Sequence, residues 1–181
     1  MRVLSLLFDP RGAIDRRTFW SGLIQLMVIS VVVCTALSFV DIDAAWAALP
    51  VIGEAFATTE VAGQVRQGAL PDVSLVAGMF LVAARLYVTV CLMLKRSRDA
   101  GKGARPLIAF GLVGLAIHGL MGLWAYDLFD DGMALIVPFI ADAMATAALG
   151  LVFSVWLGAL PSSSASKPAR AWRSPQVKPS S

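Results

Sequence analysis

Charged residues are scarce in this chain of 181 residues: together Asp, Glu, Lys and Arg make up 15% of it, against about a quarter of a typical soluble domain. Hydrophobic residues make up 58%. One small core cannot cover that much apolar surface, which excludes an ordinary soluble globular domain. The composition indicates that lipid solvates part of the chain. One membrane domain accounts for the whole length.

Residues that bind metals or serve as nucleophiles are also few. The chain has one histidine, His118, and two cysteines, Cys34 and Cys91, which both lie inside apolar runs. No Cys-x-x-Cys or Cys/His ligand spacing is present, so neither a metal site nor a cofactor is predicted. No phosphate-binding loop and no nucleophile–base pair stands out. The sequence therefore predicts a protein that is not an enzyme.

Four long apolar runs dominate the sequence. They cover residues 19–40, 75–94, 107–124 and 133–160. At about 1.5 Å per residue, each is long enough for a hydrocarbon core of about 30 Å, and the absence of alternation favours helices over barrel strands. The sequence predicts an all-α integral membrane four-helix bundle over residues 19–160. A cytoplasmic segment over residues 1–18 precedes it, and a disordered basic tail over residues 161–181 follows it.

Charge is distributed unevenly among the segments that flank these runs. Thirteen of the 15 basic residues lie in the N-terminal segment, the connection between the second and third runs, and the tail. The other two connections hold eight of the 12 acidic residues and a single basic one, Arg66. Because basic segments resist translocation, this pattern predicts that both termini are cytoplasmic, the N-in/C-in topology. The basic segments are expected to meet anionic lipid headgroups, and no nucleic-acid partner is expected.

The outer connection over residues 41–74 is long. Within residues 54–67, Phe56, Val61 and Val65 are spaced so that a helix would turn them toward apolar material. Two interpretations stay open for this segment: a short helix that lies on the outer surface of the membrane, or an irregular loop.

Two motifs border the predicted helices on the cytoplasmic side. The first, over residues 8–20, includes Gly12, Ile14, Arg16, Arg17, Phe19 and Trp20. The second, over residues 95–103, includes Arg96, Arg98, Asp99, Gly101 and Lys102. Together they resemble the DUF805 family of small bacterial inner-membrane proteins, which shows Gly-Arg-Ile-Ser-Arg-x-x-Phe/Tyr-Trp before its first helix and Arg-Arg-Leu-His-Asp-x-Gly-x-Ser-Gly-Trp later. Ala13, Asp15 and Arg98 depart from those patterns. The resemblance implies a multi-pass protein of the bacterial inner membrane and implies no biochemical activity.

Each motif pairs an acid with neighbouring bases beside a turn. Asp15 precedes Arg16 and Arg17, and Asp99 follows Arg96 and Arg98. The structural interpretation is that the carboxylates cap helices or bridge the basic groups, while other basic side chains meet lipid headgroups. The functional interpretation is a binding site for an anionic ligand or for an acidic segment of a partner.

Three ionisable residues lie inside the apolar runs: Arg85, His118 and Asp142. Their positions place all three near the middle of the membrane, where an isolated charge costs about 2.5–3.5 kcal/mol. An Arg85–Asp142 pair would lower that penalty and hold the second membrane helix against the fourth. Three hypotheses stay open: this structural pair with a packed His118, a proton or ion path through Asp142 and His118, or a site for a small polar or anionic substrate around Arg85.

The sequence favours a non-enzymatic interaction or assembly module of the membrane, with another protein or a second copy of the chain as its partner. The alternative is a component of a transporter or channel that uses the intramembrane cluster. With only four membrane helices, that role would require an oligomer.

Overall fold

The computed structural model describes residues 7–163. Within this part of the chain there are five complete α-helices and no β-strand. The helices are α1 (Arg16–Ser38), α2 (Ile52–Gln67), α3 (Val73–Asp99), α4 (Arg105–Asp127) and α5 (Ile136–Ala159). A short 3-10 turn, Ala45–Ala48, lies between α1 and α2. Nearly all of the predicted disordered tail lies outside the described residues.

Four of these helices, α1, α3, α4 and α5, are long and apolar enough to cross a membrane, with 23 to 27 residues each. Their ends agree with the predicted runs to within five residues. Large apolar side chains point outward from them, including Ile24, Leu115 and Leu151, which are 65%, 70% and 67% exposed. Apolar exposure on this scale is typical of a surface that lipid covers. The predicted all-α fold with four apolar membrane-length helices is confirmed.

The helices give the bundle two chemically different ends. The basic end holds the start of α1, the connection between α3 and α4, and the end of α5. The acidic end holds the segments after α1, before α3, and between α4 and α5. Contacts between elements hold each end together. Arg16 binds the Ala159 carbonyl at the basic end, and Arg66 binds Asp130 at the acidic end.

The helix predicted over residues 54–67 exists as α2, but it does not lie on the surface of the bundle. Its first turn lies deep between other helices, where Glu54 contacts Arg85 in the middle of α3. Its last turn reaches the acidic end, where Arg66 binds Asp130. With 16 residues, α2 is about 24 Å long. The chain therefore enters the bundle from the acidic end and returns to it as a shorter, re-entrant helix.

Small residues let the chain enter the bundle ahead of α2. Ala44, Ala47 and Ala48 are buried, and their short side chains let the 3-10 turn pack against α1 and α3. Trp46 lies across Gly78 of α3, where a Cβ atom would come within 2.1 Å of the indole ring. The Trp46 ring also packs on Phe56 of α2, with centroids 4.8 Å apart. Trp46 therefore packs between α2 and α3.

The apolar core lies mainly toward the basic end. Phe19, Leu92 and Leu157 are completely buried there and join α1, α3 and α5. Gly158 allows the close approach of Trp20, whose ring would lie 2.6 Å from a Cβ atom at that position. Cys34 and Cys91 are buried and unbridged.

Candidate functional site

Arg85 is held by α2 and by the turn that precedes it. The side chain is 5% exposed, and Nη2 donates a hydrogen bond to Glu54 Oε1 at 2.7 Å. Nη1 donates to the carbonyl oxygen of Ala47. The predicted Arg85–Asp142 pair is corrected here, because Arg85 binds Glu54 and the side chain of Asp142 binds elsewhere.

Glu54 serves two neighbours at once. While Oε1 accepts from Arg85, Oε2 accepts from the backbone N–H of Val51, which opens α2. Gly53 makes room for this arrangement, since a Cβ atom there would lie 3.1 Å from Arg85 Nη2. Backbone groups inside a membrane must find partners within the protein. The Arg85–Glu54 pair thus satisfies two backbone groups of the re-entrant segment as well as each other's charge.

His118 and Asp142 form the second pair of the cluster. His118 Nδ1 lies 2.8 Å from Asp142 Oδ2, which joins α4 to α5. Thr58 Oγ1 of α2 lies 3.4 Å from the same nitrogen. Asp142 is completely buried, whereas the side chain of His118 is 26% exposed. The two pairs together bring four helices, α2 to α5, to one polar cluster, which we call the intramembrane cluster.

One carboxylate oxygen in this cluster has no partner. Asp142 Oδ2 accepts from the imidazole, but no group among residues 7–163 donates to the buried Oδ1. Thr146, one turn later, does not fill the gap, because its hydroxyl donates to the backbone carbonyl of Asp142. A buried oxygen without a donor is costly, which marks Asp142 as the least satisfied group of the cluster.

The intramembrane cluster lies between the middle of the bundle and the acidic end. At the helical rise of about 1.5 Å per residue, Arg85 lies about 18 Å from the start of α3 and His118 about 14 Å from the end of α4. Asp142 lies only about 9 Å from the start of α5, because that helix begins at Ile136 rather than at residue 133. Asp142 therefore lies nearer the end of its helix than the predicted run over residues 133–160 indicated.

A groove connects His118 with the acidic end. It has a volume of about 470 Å³ and runs between α2 and α4. Thr58 and His118 line its deeper part, while Val65 and Tyr126 line the part nearer the acidic end. Apart from the histidine and threonine, the lining is mainly apolar. The partly exposed face of His118 therefore borders an open space rather than packed protein.

The two sequence motifs meet at the basic end, around Arg96. This side chain is completely buried, its Nε donates to the Leu157 carbonyl at 3.2 Å, and Nη2 donates to the Leu160 carbonyl. Nη1 binds Asp99, as the sequence predicted, and Ser162 donates to the same carboxylate at 2.5 Å. Arg96 thus caps the end of α5, whose last carbonyl groups attract cations.

Other motif residues support the same junction. Arg16 donates to the Ala159 carbonyl at 2.8 Å, and Arg98 donates to the Pro10 carbonyl at 2.6 Å, which joins the two motifs directly. Gly101 and Gly103 have φ angles of +72° and +65°, as the predicted sharp turn requires. Arg16, Arg96 and Arg98 are thus engaged with backbone carbonyls, as the structural interpretation of the motifs expects.

Residues of the first motif open α1 and pack its first turns. Hydrogen bonds from the Thr18 side chain and from the Thr18 backbone N–H, the latter 2.8 Å from Asp15 Oδ1, hold the pKa of the Asp15 carboxyl below its ordinary value of 3.8. Gly12 has a φ of +87°. Phe19 and Trp20 pack edge to face, with centroids 5.4 Å apart. The exposed basic residues of this end include Arg17, Lys102 and Arg105.

The described part of the chain contains no group of three His, Cys, Asp or Glu side chains that could hold a metal ion. No protein-family model, curated protein or solved structure matches the chain. The resemblance to the DUF805 family therefore stays a prediction, and the case for a function depends on the site itself.

Sequence reasoning missed two members of the intramembrane cluster, Glu54 and Thr58. A signal was present: Glu54 is the only charged residue between positions 44 and 59, in a stretch that is otherwise small and apolar. A single acid in such a stretch is typical of a segment that is inserted into the membrane and whose charge is paired with another residue of the protein.

Proposed function

We propose that this chain is the membrane component of a transporter or channel and that the intramembrane cluster is its ion-handling site. The observation that carries the proposal is the re-entrant helix α2, which brings Glu54 and Thr58 to Arg85, His118 and Asp142. Transport proteins commonly use broken helices that end inside the membrane to place polar groups on an ion path. Ionisable residues at such depth are expensive, and ion paths are a common reason to keep them.

The arrangement favours a proton or cation over an anionic substrate. Arg85 is the only basic side chain of the cluster apart from His118, and Glu54 already neutralises its charge. Its other terminal nitrogen is engaged with the Ala47 carbonyl. The least satisfied atom of the cluster is a carboxylate oxygen of Asp142, which attracts positive charge.

The basic end would face the cytoplasm, with both termini inside, according to the charge distribution. Arg17, Lys102 and Arg105 would then meet anionic headgroups, an attraction worth about 1 kcal/mol per basic residue. By its resemblance to the DUF805 family, the protein would reside in a bacterial inner membrane.

An interaction or assembly module is the second candidate, and α4 favours it. None of the residues in the most apolar stretch of α4 is buried. Gly111, Gly114 and Gly119 have no neighbour where a Cβ atom would be. Small residues of this kind allow close packing between membrane helices. A second copy of the chain seated on α4 would also supply the additional helices that transport requires.

The experiment that tests the transport proposal uses the full chain purified into sealed lipid vesicles. An imposed membrane potential drives cation entry, and a trapped pH-sensitive dye reports proton flux. We expect the parent protein to dissipate the gradient and the double variant His118→Met with Asp142→Leu, which removes both members of one pair and leaves no buried charge unpaired, to be inactive while it still folds. Vesicles with parent protein that are no leakier than empty vesicles would contradict transport by this chain and favour the assembly role.

A matched control separates the cluster from general damage to the protein. Arg66 and Asp130 form an exposed ion pair at the acidic end, 2.7 Å apart and remote from the intramembrane cluster. Replacing both, as Arg66→Met with Asp130→Leu, likewise removes one basic and one acidic side chain that are partners. We expect this variant to retain the flux of the parent protein.

A further inference from the structure

We infer that the His118–Asp142 pair is a binding site for a single proton, taken up at His118 Nε2. This inference deepens the proposed function by naming the ion and the atom that binds it. Only the role of the bound proton in transport rests on the proposed function. Binding itself can be measured without transport.

The geometry leaves one ring nitrogen for the proton. His118 Nδ1 faces Asp142 Oδ2 at 2.8 Å and Thr58 Oγ1 at 3.4 Å, so its N–H is held on the carboxylate side. No contact to Nε2 occurs within residues 7–163, and the ring borders the open groove between α2 and α4. Because the partner of one ring nitrogen determines the tautomer, the neutral ring would carry its proton on Nδ1 and leave the Nε2 lone pair free.

The charges around the His118 ring favour a proton as the ligand. With a neutral imidazole the pair carries the negative charge of Asp142 alone, buried and short of one donor. One proton at Nε2 converts it into a neutral imidazolium–carboxylate pair, and release at Nε2 reverses the step. Glu54 of α2 also lies within electrostatic range of His118, but Arg85 of α3 neutralises it. No other charged group of the described chain takes part in the cluster.

The groove supplies a direction for uptake. It extends from His118 along α2 and α4 to Val65 and Tyr126, which lie nearer the acidic end. The site is therefore accessible from the acidic side, which is the outer side in the predicted topology.

The test uses the fact that His118 is the only histidine of the chain. Full-length protein labelled with ¹⁵N-histidine, in lipid nanodiscs, gives one pair of ring nitrogen signals whose shifts report tautomer and protonation. We expect the neutral ring to carry its proton on Nδ1 and to convert to imidazolium in one step as the pH is lowered from about 9 to about 5. A ring that stays in one form throughout, or that carries its neutral proton on Nε2, would overturn the inference.

Two variants make the assignment specific. Asp142→Asn removes the negative partner and should shift the titration midpoint by about one pH unit or more. Asp130→Asn removes an exposed carboxylate at the acidic end and should leave the midpoint unchanged. Equal shifts in both variants would overturn the assignment to the pair. If Asp142→Asn fails to fold, the tautomer and the titration of the parent protein still decide the question.

The outcome can be separated from that of the vesicle experiment. A chain whose His118 titrates as expected but that moves no protons in vesicles contradicts the transport proposal and leaves the proton site in place. A chain that conducts protons while His118 never changes form contradicts the inference made here and leaves transport in place.

Discussion

The contact between Arg85 and Glu54 gives the sharpest test of the fold, because the sequence alone suggested a different partner for Arg85. We expect Arg85→Met and Glu54→Met each to lower the free energy of unfolding by about 3–5 kcal/mol, since each leaves the other charge buried and unpaired. Independent effects would add to about 6–10 kcal/mol in the double variant.

The double variant should instead cost about as much as one single change. It removes both charges and leaves only two backbone groups without their partners, the Ala47 carbonyl and the Val51 N–H. Unsatisfied groups of this kind cost about 1–3 kcal/mol each. The coupling energy between Arg85 and Glu54 is the difference between the sum of the two single effects and the effect of the double change. It is expected to exceed about 2 kcal/mol, above the roughly 0.6–1.7 kcal/mol that uncharged hydrogen bonds between membrane helices contribute.

The assay is reversible unfolding in mixed micelles of lipid and denaturing detergent, followed by circular dichroism. Two further cycles serve as controls. Arg66 with Asp130 is exposed and should couple by less than about 1 kcal/mol. Arg85 with Asp142 should show little direct coupling. A larger coupling for Arg85 with Asp142 than for Arg85 with Glu54 would refute the arrangement of α2 described above.

Two predictions concern the basic end. Arg96→Leu should destabilise the protein by about 3–5 kcal/mol, because it leaves Asp99 and the last carbonyl groups of α5 without their buried donor. Arg96→Lys should not restore stability, since an ammonium group cannot form the paired hydrogen bonds of a guanidinium group. Thermal unfolding in detergent measures both variants, with Arg17→Leu at an exposed position as the neutral control. Asp15 contributes stability above its ordinary pKa of 3.8, because its hydrogen bond from Thr18 lowers the pKa in the folded state. This contribution should be lost as the pH falls through and below that value, whereas Asp15→Asn, which keeps the cap, should show no such loss when unfolding is measured from neutral to acidic pH.

Hydropathy and local chemistry made much of this fold predictable. The four membrane-length helices follow directly from apolar runs, because only a helix satisfies its own backbone in lipid. Asp15 caps α1, and Gly101 and Gly103 turn the chain with positive φ angles, as their local sequence indicated. Asp99 pairs with Arg96 because both lie on one face of α3, three residues apart. All of these features depend on residues close in sequence.

The pairing inside the membrane was not predictable in the same way. Arg85 and Asp142 looked like natural partners because Glu54 had been assigned to an outer loop, where water would satisfy its charge. Glu54 is 31 positions from Arg85, and only the inward course of the 3-10 turn brings the two together. That course depends on packing between helices, such as Trp46 across Gly78, which no single-sequence pattern encodes.

The energetics of α2 explain why the unpartnered polar atoms of the cluster belong to His118 and Asp142 and not to the start of α2. A helix that begins inside the membrane brings free N–H groups and, here, a carboxylate into a medium that satisfies neither. Glu54 accepts from the Val51 N–H, and Arg85 neutralises Glu54 and donates to the Ala47 carbonyl, so these polar groups at the start of α2 all have partners. His118 and Asp142 add a second pair that α2 does not need for its own backbone, and within the cluster it is this pair that keeps polar atoms without a partner in the described residues, Asp142 Oδ1 and His118 Nε2. A purely structural cluster would have no use for a half-satisfied pair beside an open groove, because such a pair costs stability. The unsatisfied atoms therefore direct the search for function to His118 and Asp142 rather than to Arg85.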